Sequence, residues 1–100
     1  MRKLLYSPEA VDDLARLREF IALKNPSAAR RVASELLAGI GKLTEFPRMG
    51  LKVAQAPDPD LIRDLFIQQY TIRYLLAEPQ ILVLRVWHDK ENEKSKEQLL

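Results

Sequence analysis

The sequence predicts an α+β fold: an N-terminal strand, an antiparallel helical hairpin packed on a mainly antiparallel sheet, a three-strand meander and a short charged C-terminal tail. Three observations lead there. Residues 61–88 hold three short runs rich in β-branched and aromatic side chains, Leu61–Ile67, Tyr70–Leu76 and Ile81–His88, as a partly buried pleated surface prefers. The joints between them, Gln68-Gln69 and Ala77-Glu78-Pro79-Gln80, are too short for a parallel crossover, so these strands run antiparallel. Upstream lie two amphipathic stretches, each opening on a capping residue followed by proline.

In chain order, Arg2–Tyr6 reads as a short strand that stops at Ser7-Pro8. Ser7 is suited to cap a helix and Pro8 to its first position, where a missing N–H costs nothing. Glu9, Asp12 and Asp13 favour the positive end of the helix dipole. Val11, Leu14, Leu17 and Ile21 recur at three- and four-residue spacing as an apolar face, and Lys24 closes the helix. Asn25-Pro26 repeats the cap-then-proline start. Ala29, Val32, Ala33, Leu36, Leu37, Ile40 and Leu43 then line one side of a second helix, with Arg30, Arg31, Glu35 and Lys42 on the other. Two helices joined this tightly fold back on each other, and both need the sheet to bury their stripes. Gly39 and Gly41 each cost a helix about 1 kcal/mol relative to Ala, which close packing on a neighbour would explain. Residues 46–59 hold three prolines and a glycine and read as irregular. The last twelve residues, seven of them charged, read as a frayed helix or flexible tail in which Leu99-Leu100 could dock.

A chain of 100 residues makes one domain, spanning 1–100. It has no cysteine and one histidine, which excludes disulfides, thiol chemistry and a multi-His metal site. No cofactor or metal is expected. No apolar run approaches the ~20 residues of a membrane span, and the N-terminus lacks a signal-peptide pattern, so a cytoplasmic location is expected. The net charge of +2 is unevenly spread: residues 1–52 carry ten Lys/Arg and six Asp/Glu. That bias suits an acidic partner, or is simply a solvated surface.

Motifs for phosphate loops, nucleophile elbows and zinc sites are absent. His88 is the one residue with an obvious acid/base capability, beside Trp87 at the end of the last strand; a histidine bonded to a loop carbonyl would look the same in sequence. Each predicted strand also carries an arginine among apolar neighbours, Arg63, Arg73 and Arg85, and each needs an acceptor. If Gln68-Gln69 is a two-residue turn, Asp64 falls opposite Arg73 as a cross-strand ion pair, although Gln-Gln suits such turns poorly. Arg73 and Arg85 share a face only if the 77–80 connection shifts the register by an odd amount. The few aromatic residues form no stacking platform for single-stranded nucleic acid.

In order and spacing, several short motifs resemble the RelE/ParE toxins of bacterial toxin–antitoxin systems. They are Ser7-Pro8-Glu9-Ala10 with Asp13-Leu14, Asn25-Pro26-Ser27-Ala28-Ala29, Phe46-Pro47-Arg48-Met49-Gly50, Ile62-Arg63-Asp64-Leu65, Tyr70-Thr71-Ile72-Arg73-Tyr74 and Leu84-Arg85-Val86-Trp87-His88. Together they cover nearly the whole chain and favour the ParE branch. That resemblance implies a toxin linked to plasmid stabilization, which inhibits DNA gyrase by trapping cleaved-DNA complexes without catalytic residues of its own. It also implies neutralisation by a cognate ParD-like antitoxin in a hetero-oligomer. Arg63, Arg73, Arg85, Trp87 and His88 are then the candidate partner-binding residues. RelE-like members instead cut mRNA on the ribosome, and here the sequence departs from them. The arginine that follows the first tyrosine of the corresponding strand is Thr71. The basic residue after the last strand falls at Asp89, or at Lys90 if the match slips by one. No tyrosine occurs after Tyr74. An mRNA nuclease using His88 with Arg73 or Arg85, and a homologue that only binds antitoxin, are the alternatives.

Overall fold

In the computed structural model, which describes residues 2–58 and 60–91, the elements follow in the expected order. Strand β1 (Lys3–Tyr6) leads into α1 (Pro8–Lys24), α2 (Pro26–Gly41) and a 3-10 turn at Lys42–Thr44. Then come β2 (Leu51–Lys52), β3 (Ile62–Ile67), β4 (Tyr70–Ala77) and β5 (Gln80–His88). The sheet order is β1-β5-β4-β3-β2, with β1 parallel to β5 and every other pair antiparallel. The two-residue β2 corrects the expectation that 46–59 is wholly irregular: Leu51 and Lys52 pair with Asp64 and Arg63. The possible docking of Leu99-Leu100 lies outside the described residues.

Both helix starts are built as their sequences suggest. Ser7 Oγ accepts from Ala10 N at 3.0 Å, and Asn25 Oδ1 accepts from Ala28 N at 3.1 Å. Each bond satisfies a donor that the first helical turn leaves over, worth about 1 kcal/mol. The apolar faces need correction. In α1 the sheet buries the line Ala10, Asp13 and Leu17, while Val11 is 54% exposed. The helix lies against β5, and what it meets there is an arginine and a bare strand edge, so a carboxylate takes a place that hydrophobic periodicity would give to an apolar residue. In α2, Ala29, Leu36 and Ile40 are buried but Leu37 is half exposed. Gly39 is the point of close approach between α2 and the sheet, since an added Cβ would collide with the Ile67 side chain; nothing lies near a Cβ at Gly41.

Leu17, Leu36, Ile40 and Leu43 from the helical side meet Leu65, Ile72, Tyr74, Leu76, Ile81, Val83 and Val86 of the sheet. The even-numbered residues of β4 therefore face the helices and the odd-numbered ones face away. Tyr74 ties the 46–52 segment to this core: its hydroxyl donates to Pro47 O at 2.7 Å and accepts from Gly50 N at 3.0 Å. Gly50 must lack a side chain, because a Cβ would sit 2.8 Å from the Tyr74 ring and 2.9 Å from Asp64 O.

Strand β1 pairs only with residues 80–83 of β5. Beyond it, side chains take over the edge. Ser7 N and Oγ donate to Val83 O (2.9 Å) and Leu84 O (2.8 Å). Asp13 Oδ2 accepts from Val86 N (2.9 Å), and Glu91 Oε1 accepts from His88 N (2.9 Å). These groups do the work of a neighbouring strand and leave fewer bare amides for unwanted pairing. No helix among the described residues is long and apolar enough to cross a membrane.

Candidate partner-binding site on the sheet

The five candidate residues do not form one cluster. Gln68-Gln69 is indeed a two-residue turn, with Gln68 at φ 55° and its side chain donating to Glu35 of α2. That tertiary contact helps hold a conformation glutamine seldom adopts. The turn places Asp64 opposite Arg73, as expected, and Arg63 opposite Tyr74. Arg63 is thus on the helix-facing side, 7% exposed. Its guanidinium donates to Gly50 O (3.0 Å), Asp60 O (3.3 Å) and, at the limit of hydrogen bonding, Arg48 O (3.5 Å). Its acceptors are loop carbonyls, and its evident work is to hold the 48–60 segment in place.

Arg73 lies on the opposite face. Nε and Nη2 grip the two oxygens of Asp64 at 2.8 and 3.0 Å, and the guanidinium carbon stands 5.2 Å from the centre of the Trp87 ring. Both geometries favour arginine specifically. Nη1 is buried without an acceptor among the described residues, so this cation keeps an unused donor.

Arg85 is directly opposite Arg73. The odd shift that this pairing requires does not come from the 77–80 connection, where Ala77 pairs with Gln80 across a two-residue turn. It comes from a bulge: Tyr74 pairs with Val83 and Arg73 with Arg85, leaving Leu84 as an extra residue. The two guanidinium groups are reconciled by separate carboxylates. Arg85 Nε and Nη2 bond Asp13 Oδ2 (2.8 Å) and Oδ1 (3.1 Å), while Arg16 Nη1 holds the same Oδ1 at 2.8 Å. Burial pushes the Asp13 carboxyl up, but Arg85, the Val86 N–H and Arg16 outweigh it and hold the group below the usual carboxylate range. Burial opposes charge on Arg16 too, and Asp13 and Glu91 more than compensate. Asp13 is the functional-looking residue that sequence reasoning missed. Its place three residues after Ala10, on a buried line, was the available signal.

His88 lies on the helix-facing side, opposite Tyr70, whose ring meets it edge-on at 5.1 Å between centroids. Its Nδ1 accepts from Lys90 N at 3.0 Å and its Nε2 lies 3.1 Å from Gln69 Oε1. That pattern fits a neutral ring with the proton on Nε2. Neither partner is the expected loop carbonyl, yet both ring nitrogens are engaged. On the other face, Thr71 Oγ1 donates to Asp89 Oδ1 at 3.3 Å; Thr71 is one position where the nuclease pattern places a basic residue, and Asp89 or Lys90 is the other. Among the described residues, no group of acidic and histidine side chains could hold a metal ion.

A profile of the ParE toxin of type II toxin–antitoxin (parDE) systems matches residues 4–93. The chain is a member of this toxin family. Within the wider RelE/ParE superfamily it is similar to Toxin RelE2 of Caulobacter vibrioides, with 30% identity covering 88% of this chain and 96% of that protein. It is also similar to Toxin RelE1 of the same organism, with 36% identity covering 88% and 94%. Solved structures share the ParE-family fold. A chain of the chromosomal ParDE system from P. aeruginosa superposes with a TM-score of 0.73 at 17% identity, covering 88% of this chain and 96% of that one. The isolated E. coli RelE toxin gives 0.59 at 16% identity, with 98% and 95% covered.

Proposed function

We propose that this ParE-family toxin acts by binding, with DNA gyrase as its target, and that a cognate ParD-like antitoxin neutralises it. The observation that carries this reading is the Thr71–Asp89 hydrogen bond at 3.3 Å. Cleaving RNA through a 2′-hydroxyl needs a base, an acid and cations aimed at the scissile phosphate. This chain has a neutral hydroxyl where one cation would be wanted, and that hydroxyl is bonded to a carboxylate, which leaves Lys90 as the basic residue nearest the second position. The remaining sheet arginines are committed to Asp64, to Asp13 and to loop carbonyls, and both nitrogens of His88 have internal partners. Arg73 Nη1 and the Trp87 ring are buried, so of the five candidates the half-buried Arg85 and His88 are proposed as the residues that a partner meets. The antitoxin assignment draws support from the family match and from the ParDE relative in P. aeruginosa.

The RelE names of the two Caulobacter relatives favour a second reading, a ribosome-dependent mRNA nuclease. The deciding experiment is a supercoiling and cleavage assay with purified gyrase, ATP and plasmid. Lost supercoiling with accumulated cleaved DNA, reversed by the antitoxin, is the expected outcome. Unaffected gyrase together with cut mRNA on translating ribosomes would establish the second reading instead.

A further inference from the structure

The segment between the 3-10 turn and β2 carries Phe46-Pro47-Arg48-Met49-Gly50, a motif that none of the roles above uses. Proline suits the second position of a tight turn, and here Met49 N donates to Phe46 O at 3.1 Å across Pro47 and Arg48. The turn sorts its side chains by direction. Pro47 and Gly50 are buried, whereas Phe46, Arg48 and Met49 are exposed, Phe46 at 59% and Met49 at 42%. Together with Arg2 and Glu45, the loop lines an open hollow of about 610 Å³.

Two features set this loop apart from a plain connection. The first is rigidity. Surface loops are ordinarily among the more mobile parts of a fold, yet two buried side chains of the sheet hold this one. Tyr74 Oη donates to Pro47 O (2.7 Å) and accepts from Gly50 N (3.0 Å), and Arg63 Nη1 donates to Gly50 O (3.0 Å). Phe46 N adds a bond back to Lys42 O at 2.9 Å. An apolar anchor on a backbone that is already fixed costs less ordering entropy when a partner covers it, and aromatic residues, Met and Arg are the types enriched at protein interfaces. The second feature is charge. Residues 42–52 hold Lys42, Arg48 and Lys52 against Glu45 alone, a positive balance that favours an acidic surface. A second copy of the chain, meeting this loop in a twofold contact, would set the same positive segment against itself.

We infer that residues 46–49 form a preorganised target-binding loop, which seats Phe46 and Met49 in an apolar pocket of a folded protein while Arg48 meets carboxylates at that pocket's rim. Such a loop rests on the reading above, in which the toxin binds gyrase, and supplies a contact surface for it.

The test compares the full-length parent with Phe46→Ala and Arg48→Glu, both at exposed positions whose backbone bonds the substitutions leave in place. Thermal melts establish that the variants fold, and calorimetry should find their affinity for the antitoxin unchanged. Each variant should need about tenfold or more protein than the parent to inhibit gyrase supercoiling, the loss expected of an interface anchor. Unchanged inhibition by either variant would overturn the inference. A matching loss of antitoxin binding would also overturn it, by making the loop part of that interface. A parent that leaves gyrase unaffected yet arrests growth would defeat the gyrase reading alone. The loop is then judged by growth arrest, and unchanged arrest by either variant would overturn it; arrest lost with Arg48→Glu alone would point to a nucleic-acid phosphate instead. A parent that neither inhibits gyrase nor arrests growth would defeat both.

Discussion

Asp13 shows how a single carboxylate can organise this molecule. It is 2% exposed and accepts from two arginines and one strand amide. Its folded pKa is depressed, so near pH 4 the unfolded chain binds more protons than the folded one, and stability falls as the solution is acidified. The contribution is fully present above the unfolded value of about 3.9 and is lost as pH falls through the lower folded value. Asp13→Asn should cost about 3–5 kcal/mol at pH 7, since it strands Arg85 beside a neutral amide. It should also flatten the acid limb of a stability–pH curve measured by urea denaturation; an unchanged limb would assign acid sensitivity elsewhere. Tyr74→Phe removes a hydroxyl bonded on both sides and leaves Gly50 N without it, at a cost of about 1–3 kcal/mol. His88→Ala, by contrast, should leave toxicity within about twofold of the parent in a growth-arrest assay, whereas a nuclease dependent on its ring would lose 10²-fold or more. The Asp64–Arg73 pair was legible in the sequence because two residues of turn fix the register. The Asp13–Arg85 pair was not: it depends on where a helix lies relative to a strand 70 residues away, and hydrophobic periodicity carries no such information.

At the level of elements, the caps were the most legible features, because capping depends on neighbours in sequence. Ser7-Pro8 and Asn25-Pro26 start their helices as their chemistry requires. The glycines of α2 were ambiguous for the opposite reason. Two glycines two residues apart look alike in sequence, yet one meets Ile67 and the other meets nothing. Gly41 also has helical backbone angles, φ −58° and ψ −28°. Gly41→Ala should therefore stabilise the protein by about 0.5–1 kcal/mol, seen as a melting temperature higher by roughly 2–8 °C. Gly39→Ala should gain less, because Ile67 must first move aside. The two-residue β2 escaped the sequence reading because prolines and a glycine surround it, and its pairing depends on anchors at Arg63 and Tyr74 rather than on strand-forming residues.

For the whole molecule, the layer order was readable: two unpartnered apolar helix stripes and three short strands admit few arrangements. The distribution of function over its two sides was not. The sheet arginines were read as one set, but Arg63 belongs to the helix-facing side and Arg73 to the other. The edge of β5 is a further property of the complete fold, since Ser7, Asp13 and Glu91 reach it from separate parts of the chain. Stripping that edge by combining Ser7→Ala with Glu91→Ala should promote self-association, visible by sedimentation as a concentration-dependent rise in mass, with the parent unchanged.

The bulge at Leu84 has a consequence for insertions and deletions. The pairs on its two sides, Tyr74 with Val83 and Arg73 with Arg85, are in consecutive register on β4. Removing Leu84 alone would join them as a regular hairpin with every cross-strand pair of β4 and β5 retained and every side chain on its present face, losing the Ser7 Oγ–Leu84 O bond. Removing Ile72 of β4, a strand with no spare residue opposite β3, would instead turn Tyr70 and Thr71 over and break their pairing with Ile67 and Phe66. Codon 84 is thus the slack in the strand's reading frame. A chain one codon shorter there should fold, whereas one shortened at codon 72 should not, and soluble yield with circular dichroism would distinguish them.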